Sequence, residues 1–108
     1  MNVAKTYDRG VELFDELRKL LDAEGETNWI RGVKSAIASL KCDDNDSAKE
    51  AALKDACSVF ESMHGGAGSF SDFCIWRDDF DERKRANEVF SRLCDEIWQV
   101  VELTRSVR

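Results

Sequence analysis

The sequence predicts an all-α fold: a single-domain bundle of four main helices, plus a short helical segment after a Gly-rich turn. Three observations carry this. Apolar residues recur at steps of three and four along most of the chain. There is no proline, so long uninterrupted helices are allowed. The one Gly-rich break, His64-Gly65-Gly66-Ala67-Gly68-Ser69-Phe70-Ser71-Asp72, falls between two helical patterns. With 108 residues, the whole span 1–108 is expected to form one domain around one core.

The first helix is placed at about Thr6 to Ala23. Tyr7, Val11, Phe14, Leu17 and Leu21 form its stripe, widened by Leu13 and Leu20. Asp8 suits its positive end, and Arg18 and Lys19 suit its negative end. Gly25 ends it. Gly10 weakens the helix by about 1 kcal/mol relative to Ala, and so is expected to mark a close helix contact. The second helix starts after Thr27, its expected N-cap, and runs to about Leu40, with Trp29, Ile30, Val33, Ile37 and Leu40 on its apolar face. Ala36 lets a neighbouring helix come close.

The connector Lys41-Cys42-Asp43-Asp44-Asn45-Asp46-Ser47 is acidic. It is not a calcium loop of the EF-hand type, because the sixth position from Asp43 is Ala48 rather than Gly. Asp46 or Ser47 is expected to cap the third helix, which runs to about Met63 on Ala52, Ala56, Val59, Phe60 and Met63. Gly65 or Gly66 then takes the left-handed position after the helix. His64 lies beside the negative helix end, where an imidazolium is favoured. Ser69 caps the next helical segment, with Asp72 at its third position. The turn reads as stop, turn, start.

Phe70, Phe73, Ile75 and Trp76 suit a short helix that plugs one end of the bundle; an exposed aromatic binding patch is the other reading. In Arg77-Asp78-Asp79-Phe80-Asp81-Glu82, either Asp79 or Asp81 caps the last helix. That helix runs from about Asp81 to Leu103. Ala86, Val89, Phe90, Leu93, Ile97, Val100, Val101 and Thr104 make its stripe, with Trp98 at the flank.

Gly65-Gly66-Ala67-Gly68-Ser69-Phe70-Ser71-Asp72-Phe73 resembles the Gly-Gly-Met-Gly-Ser-(Phe or Leu)-Asn-Asp-Leu motif of a family of small, uncharacterised bacterial proteins. This chain departs from it with Ala67 for Met and Ser71 for Asn. The match is specific over the Gly-rich stretch and loose elsewhere. The resemblance implies a small, cytosolic, all-helical protein and carries no activity with it.

Function is read mostly by exclusion. The formal net charge is −6, which makes nucleic acid and anionic membranes poor partners and a basic protein a good one. Met1-Asn2-Val3-Ala4-Lys5 has no apolar h-region, and no apolar run reaches membrane-span length, so a cytoplasmic location is expected. Cys42, Cys57, Cys74 and Cys94 contain no Cys-x-x-Cys pair, and His64 is the sole histidine, so no metal site is expected. Cys57 and Cys94 read as small apolar residues on helices. The Gly-rich turn lacks the Lys of a phosphate loop and the spacing of a dinucleotide fingerprint. No nucleophile elbow is present. The expectation is a non-enzyme with no cofactor.

In the leading reading, this is a partner-binding protein, in concrete form an immunity protein that neutralises a basic bacterial toxin. Its contacts would be Asp43, Asp44, Asp46, Asp78, Asp79, Asp81 and Trp76. In the second reading, His64, Gly65, Gly66, Gly68, Ser69 and Asp72 hold a small anion or nucleotide. The third is a structural homodimer formed through leftover apolar stripe. The structural reading of the Gly-rich turn stands beside all three.

Overall fold

The computed structural model describes residues 2–41, 45–64, 70 and 73–105. Among them are four helices, α1 (Val3–Ala23), α2 (Trp29–Ser39), α3 (Asp46–Ser62) and α4 (Phe80–Arg105). The all-α fold obeys the apolar spacing, while the helix ends obey polar side chains that spacing alone does not reveal.

α1 begins earlier than its stripe because the Asn2 side chain accepts a hydrogen bond from Lys5 N–H at 3.0 Å. At its far end Gly25 has φ +68°. Glu26 N–H donates to Leu21 O and Gly25 N–H to Asp22 O, each at 3.0 Å, the two bonds of a Schellman stop.

α2 is capped differently from expectation. Thr27 is not the cap. The Glu26 carboxylate accepts from the N–H groups of Asn28 at 2.7 Å, Trp29 at 2.9 Å and Ile30 at 2.8 Å. One anion thus satisfies three donors at the positive end of the helix. Glu26→Ala is expected to cost about 1–2 kcal/mol, as loss of an N-cap does. Urea unfolding measures it, and Thr27→Ala should cost clearly less.

α3 is capped by Asn45, whose side chain accepts from Ala48 N–H at 2.9 Å. This corrects the assignment to Asp46 or Ser47: Asp46 lies within the first turn. α4 has the expected Asp79 cap, accepting from Asp81 N–H at 2.8 Å and Glu82 N–H at 3.1 Å.

The helices share one apolar core among the described residues, with Phe14, Leu17, Leu21, Val33, Leu53, Phe60, Phe70, Ile97 and Val101 fully buried. Gly10 marks a close contact, as its sequence position suggests. A Cβ placed there would lie 2.9 Å from Leu53 Cδ1, so its absence lets α1 and α3 approach. Val11 and Val89, both assigned to core stripes, are 38% and 48% exposed. Each sits about 100° around its helix from the next residue, and the buried faces pass through Gly10, Leu13 and Phe14 on α1 and Phe90 and Leu93 on α4 instead. No helix of the described residues is long and apolar enough to cross a membrane.

The short helix expected over Phe70–Trp76 is also corrected. Phe70 N–H donates to Met63 O at 2.8 Å, and Phe73 N–H donates to Phe70 O at 3.0 Å. That single turn does not continue: Phe73 to Arg77 are not helical. Backbone groups that a helix would satisfy are met by a side chain. The Asn87 amide accepts from Ile75 N–H and donates to Ile75 O, both at 2.8 Å. The predicted roles of Gly65, Gly66, Gly68, Ser69 and Asp72 lie outside the described residues.

Candidate functional site

The candidate site has two features, a buried aromatic cluster around Phe60 and an exposed aromatic edge where the chain enters α4. Phe60 at the end of α3 is the centre of the cluster. Its ring lies 5.9 Å from Phe14, 6.4 Å from Phe70 and 5.1 Å from Trp98, all edge to face. Such geometry sets the positive rim of one ring against the negative face of the next.

His64 belongs to this cluster. Its ring centroid is 4.6 Å from Phe60, 5.0 Å from Trp98 and 5.3 Å from Phe70. Its Nε2 is buried without a hydrogen-bond partner among the described residues. Burial lowers its pKa below the ordinary 6.5. The expectation of an imidazolium at the helix end is therefore corrected: proximity to carbonyl dipoles does not offset the loss of water around the charge.

This burial makes stability depend on pH. As pH falls through 6.5 the unfolded chain takes up the proton before the folded one. Stability contributed by neutral His64 is complete above that value and is lost as pH drops toward the lowered folded value. The urea midpoint should fall between pH 7.5 and 5.5, and His64→Phe should flatten the decline. Asp15 and Glu24 do not confound this window. Hydrogen bonds from Arg18 and Arg77 respectively lower their pKa values, so their contributions are lost only below the ordinary carboxylate range.

A cavity of about 350 Å³ adjoins the cluster, with His64, Phe73, Phe90, Cys94 and Trp98 among its walls. Burial, with a smaller contribution from the Asp95 charge, pushes the Cys94 thiol up to about 12. Burial likewise raises Cys57. Both thiols stay protonated at neutral pH and serve as packing. No hydrogen bond joins His64 Nε2 to a cysteine among the described residues.

The exposed edge is built by the segment that Asn87 holds. Side chains alternate along it: Ile75 is buried, Trp76 points outward at 65% exposure, and Arg77 folds back. Arg77 donates to both Glu24 carboxylate oxygens, at 2.6 and 2.5 Å, tying the segment to the end of α1. Phe80, the first residue of α4, is 67% exposed. The Arg83 guanidinium lies 4.1 Å from the Trp76 ring centroid and 5.5 Å from that of Phe80. Asp78, Asp79 and Asp81, on the same stretch of chain, are exposed.

The acidic residues singled out from sequence do not form one surface. Asp78, Asp79 and Asp81 come just after Arg77, at the Glu24 end of α1. Asp46 opens α3, where Lys49 reaches over the Tyr7 ring at 5.4 Å. Tyr7 and Glu24 are about 25 Å apart along α1, so Asp46 belongs to the opposite end. Asp43 and Asp44 lie outside the described residues. Asp79 is committed to capping, whereas the exposed Asp78 and Asp81 make no side-chain hydrogen bond or ion pair among the described residues.

Glu24, Arg77, Phe80, Arg83 and Asn87 build or hold this edge, and none stood out as a site residue in the sequence. Glu24 and Arg77 meet across 53 positions, and no local spacing signals such a pair. Phe80 had a signal in the sequence, as an apolar residue inside an acidic run.

No curated protein and no solved structure matches the chain. Residues 22–81 match the family described as Domain of unknown function (DUF6966). This match runs from the end of α1 through the Gly-rich stretch to the start of α4, and takes in Glu24, His64, Trp76, Arg77 and Phe80. Covering more than half of the sequence, it identifies the chain as a member of the DUF6966 family.

Proposed function

We propose that this chain is a non-enzymatic binding protein that docks a basic protein partner through the edge formed by residues 76–83. In its most concrete form it is a cytoplasmic bacterial immunity protein that neutralises a toxin. The observation that carries the reading is the pair of large aromatic side chains, Trp76 and Phe80, each about two-thirds exposed where the chain enters α4. Aromatic residues of this kind dominate the energetics of protein interfaces. Asp78 and Asp81 beside them, with the net charge of −6, favour a cationic partner and speed its encounter.

The same geometry gives less to the other readings. A small-anion site at the Gly-rich turn would gain little cationic help from His64, whose pKa burial lowers. A homodimer through leftover apolar stripe would use residues such as Val89 on α4, which at 48% is less exposed than Trp76 and Phe80 and presents a smaller apolar side chain.

The test pairs the chain with the products of adjacent genes and scores both protection from toxicity and direct affinity. The reading expects a stoichiometric complex. The Trp76→Ala/Phe80→Ala double variant should bind at least about tenfold more weakly, as loss of an interface anchor does. Asp46→Ala, at the other end of α1, should bind as the unchanged chain does. Failure of every neighbouring product to bind or be neutralised would remove the immunity reading.

A further inference from the structure

The guanidinium of Arg83 has no hydrogen bond or ion pair among the described residues, although Asp78, Asp79, Asp81 and Glu82 all lie within five positions of it. It rests on the rings of Trp76 and Phe80 instead. The two rings therefore share one guanidinium, at what we call the Trp76–Phe80 slot, and both remain largely open to solvent. We infer that the Trp76–Phe80 slot is a recognition site for an arginine of the partner, and that Arg83 is its internal placeholder, displaced when the partner binds. This rests on the basic-partner reading above and refines it to arginine-bearing segments in particular.

The chemistry favours arginine over lysine. A planar guanidinium stacks on an aromatic face and is more weakly hydrated than an ammonium, so it loses less on leaving water. Asp78 and Asp81, exposed on the same stretch of chain, offer carboxylates for the remaining N–H donors of an incoming arginine. Resting on both rings, Arg83 competes for the slot and lowers apparent affinity by the fraction of time that it occupies them. An exposed cation–π contact of about 0.5–1 kcal/mol corresponds to about a two- to fivefold effect.

The probe is a labelled peptide of repeated Arg-Ser pairs, with a Lys-Ser peptide of equal length as comparison, titrated against the full chain at physiological ionic strength. The Arg peptide should bind more tightly than the Lys peptide. Trp76→Ala should weaken Arg-peptide binding by about tenfold or more while leaving the circular dichroism spectrum unchanged, because the ring is exposed. Arg83→Ala should tighten it by about two- to fivefold. Lys84→Ala removes the same charge from the adjacent position without touching the rings, and should tighten binding less. Equal gains from Arg83→Ala and Lys84→Ala, or indifference to Trp76→Ala, would overturn the slot and leave the basic-partner reading in place. Failure of both peptides to bind would overturn the slot and count against the basic-partner reading as well.

Discussion

Phe60→Ala is expected to lower stability by about 3–5 kcal/mol, the cost of emptying a buried aromatic site. Phe60 is fully buried and touches Phe14, His64, Phe70 and Trp98, which come from α1, the chain just after α3, the segment before α4, and α4 itself. One ring thus ties together parts of the fold that are far apart in the chain. For a domain of this size the melting temperature should fall by more than about 12 °C. Phe60→Leu keeps most of the volume and should cost about 1.5 kcal/mol or less. A change below about 1 kcal/mol for the alanine variant would mean that this ring does not hold the bundle together, since filled core sites do not empty so cheaply.

Asn87→Leu carries the second large effect, about 2 kcal/mol or more, because it strands two backbone groups at once. Ile75 N–H and Ile75 O both lose their partner, and the apolar replacement offers none. The loss should be local as well as global. Amide exchange at residues 73–77 should accelerate before that of the helices, and the Trp76 environment should change. Asn87→Asp keeps the acceptor for Ile75 N–H and loses the donor, so it should fall between leucine and the native residue. If the leucine variant matched the parent in stability, the clamp would not hold the segment in place.

Phe60 and Asn87 differ in how far a sequence can reveal them. Phe60 was legible because its place on α3 repeats at helical spacing with Ala52, Ala56 and Met63, and helical contact obeys that period. Asn87 was not legible. A polar residue inside an amphipathic helix reads as part of a solvated face, and its partner lies 12 positions earlier in a segment with no regular structure. That segment departs from the helix expected of it for a related reason. Phe70 and Phe73 are spaced as one helical turn, and one turn is what they form. Whether a turn propagates depends on where its backbone bonds go, and here a distant side chain takes them.

Helix ends were legible where the signal lies in the backbone and less so where several polar residues compete. Gly25 supplied the left-handed stop that a glycine after a helix suggests. Near Asn45, Asp46 and Ser47 any of three residues could cap, and the choice fell to Asn45. Glu26 prevailed over Thr27 because its longer side chain reaches three amides from outside the helix. The acidic residues were legible as charges and not as a surface. Composition gives a net −6, but only the fold separates Asp46 from Asp78 and Asp81 and shows that the two rings on the latter pair's stretch are exposed.

The chain has three tryptophans, Trp29, Trp76 and Trp98, and their indole N–H resonances report separately on core and edge. Titrating the isotope-labelled protein with its basic partner, or with the Arg-Ser peptide, tests the role of the 76–83 edge most directly. The Trp76 indole should shift and saturate with the binding curve, while Trp29, packed on Phe70, and Trp98, packed on Phe60 and His64, hold their positions. A titration that moves Trp98 and leaves Trp76 in place would put the ligand in the cavity beside His64 and contradict the assignment of binding to the exposed edge.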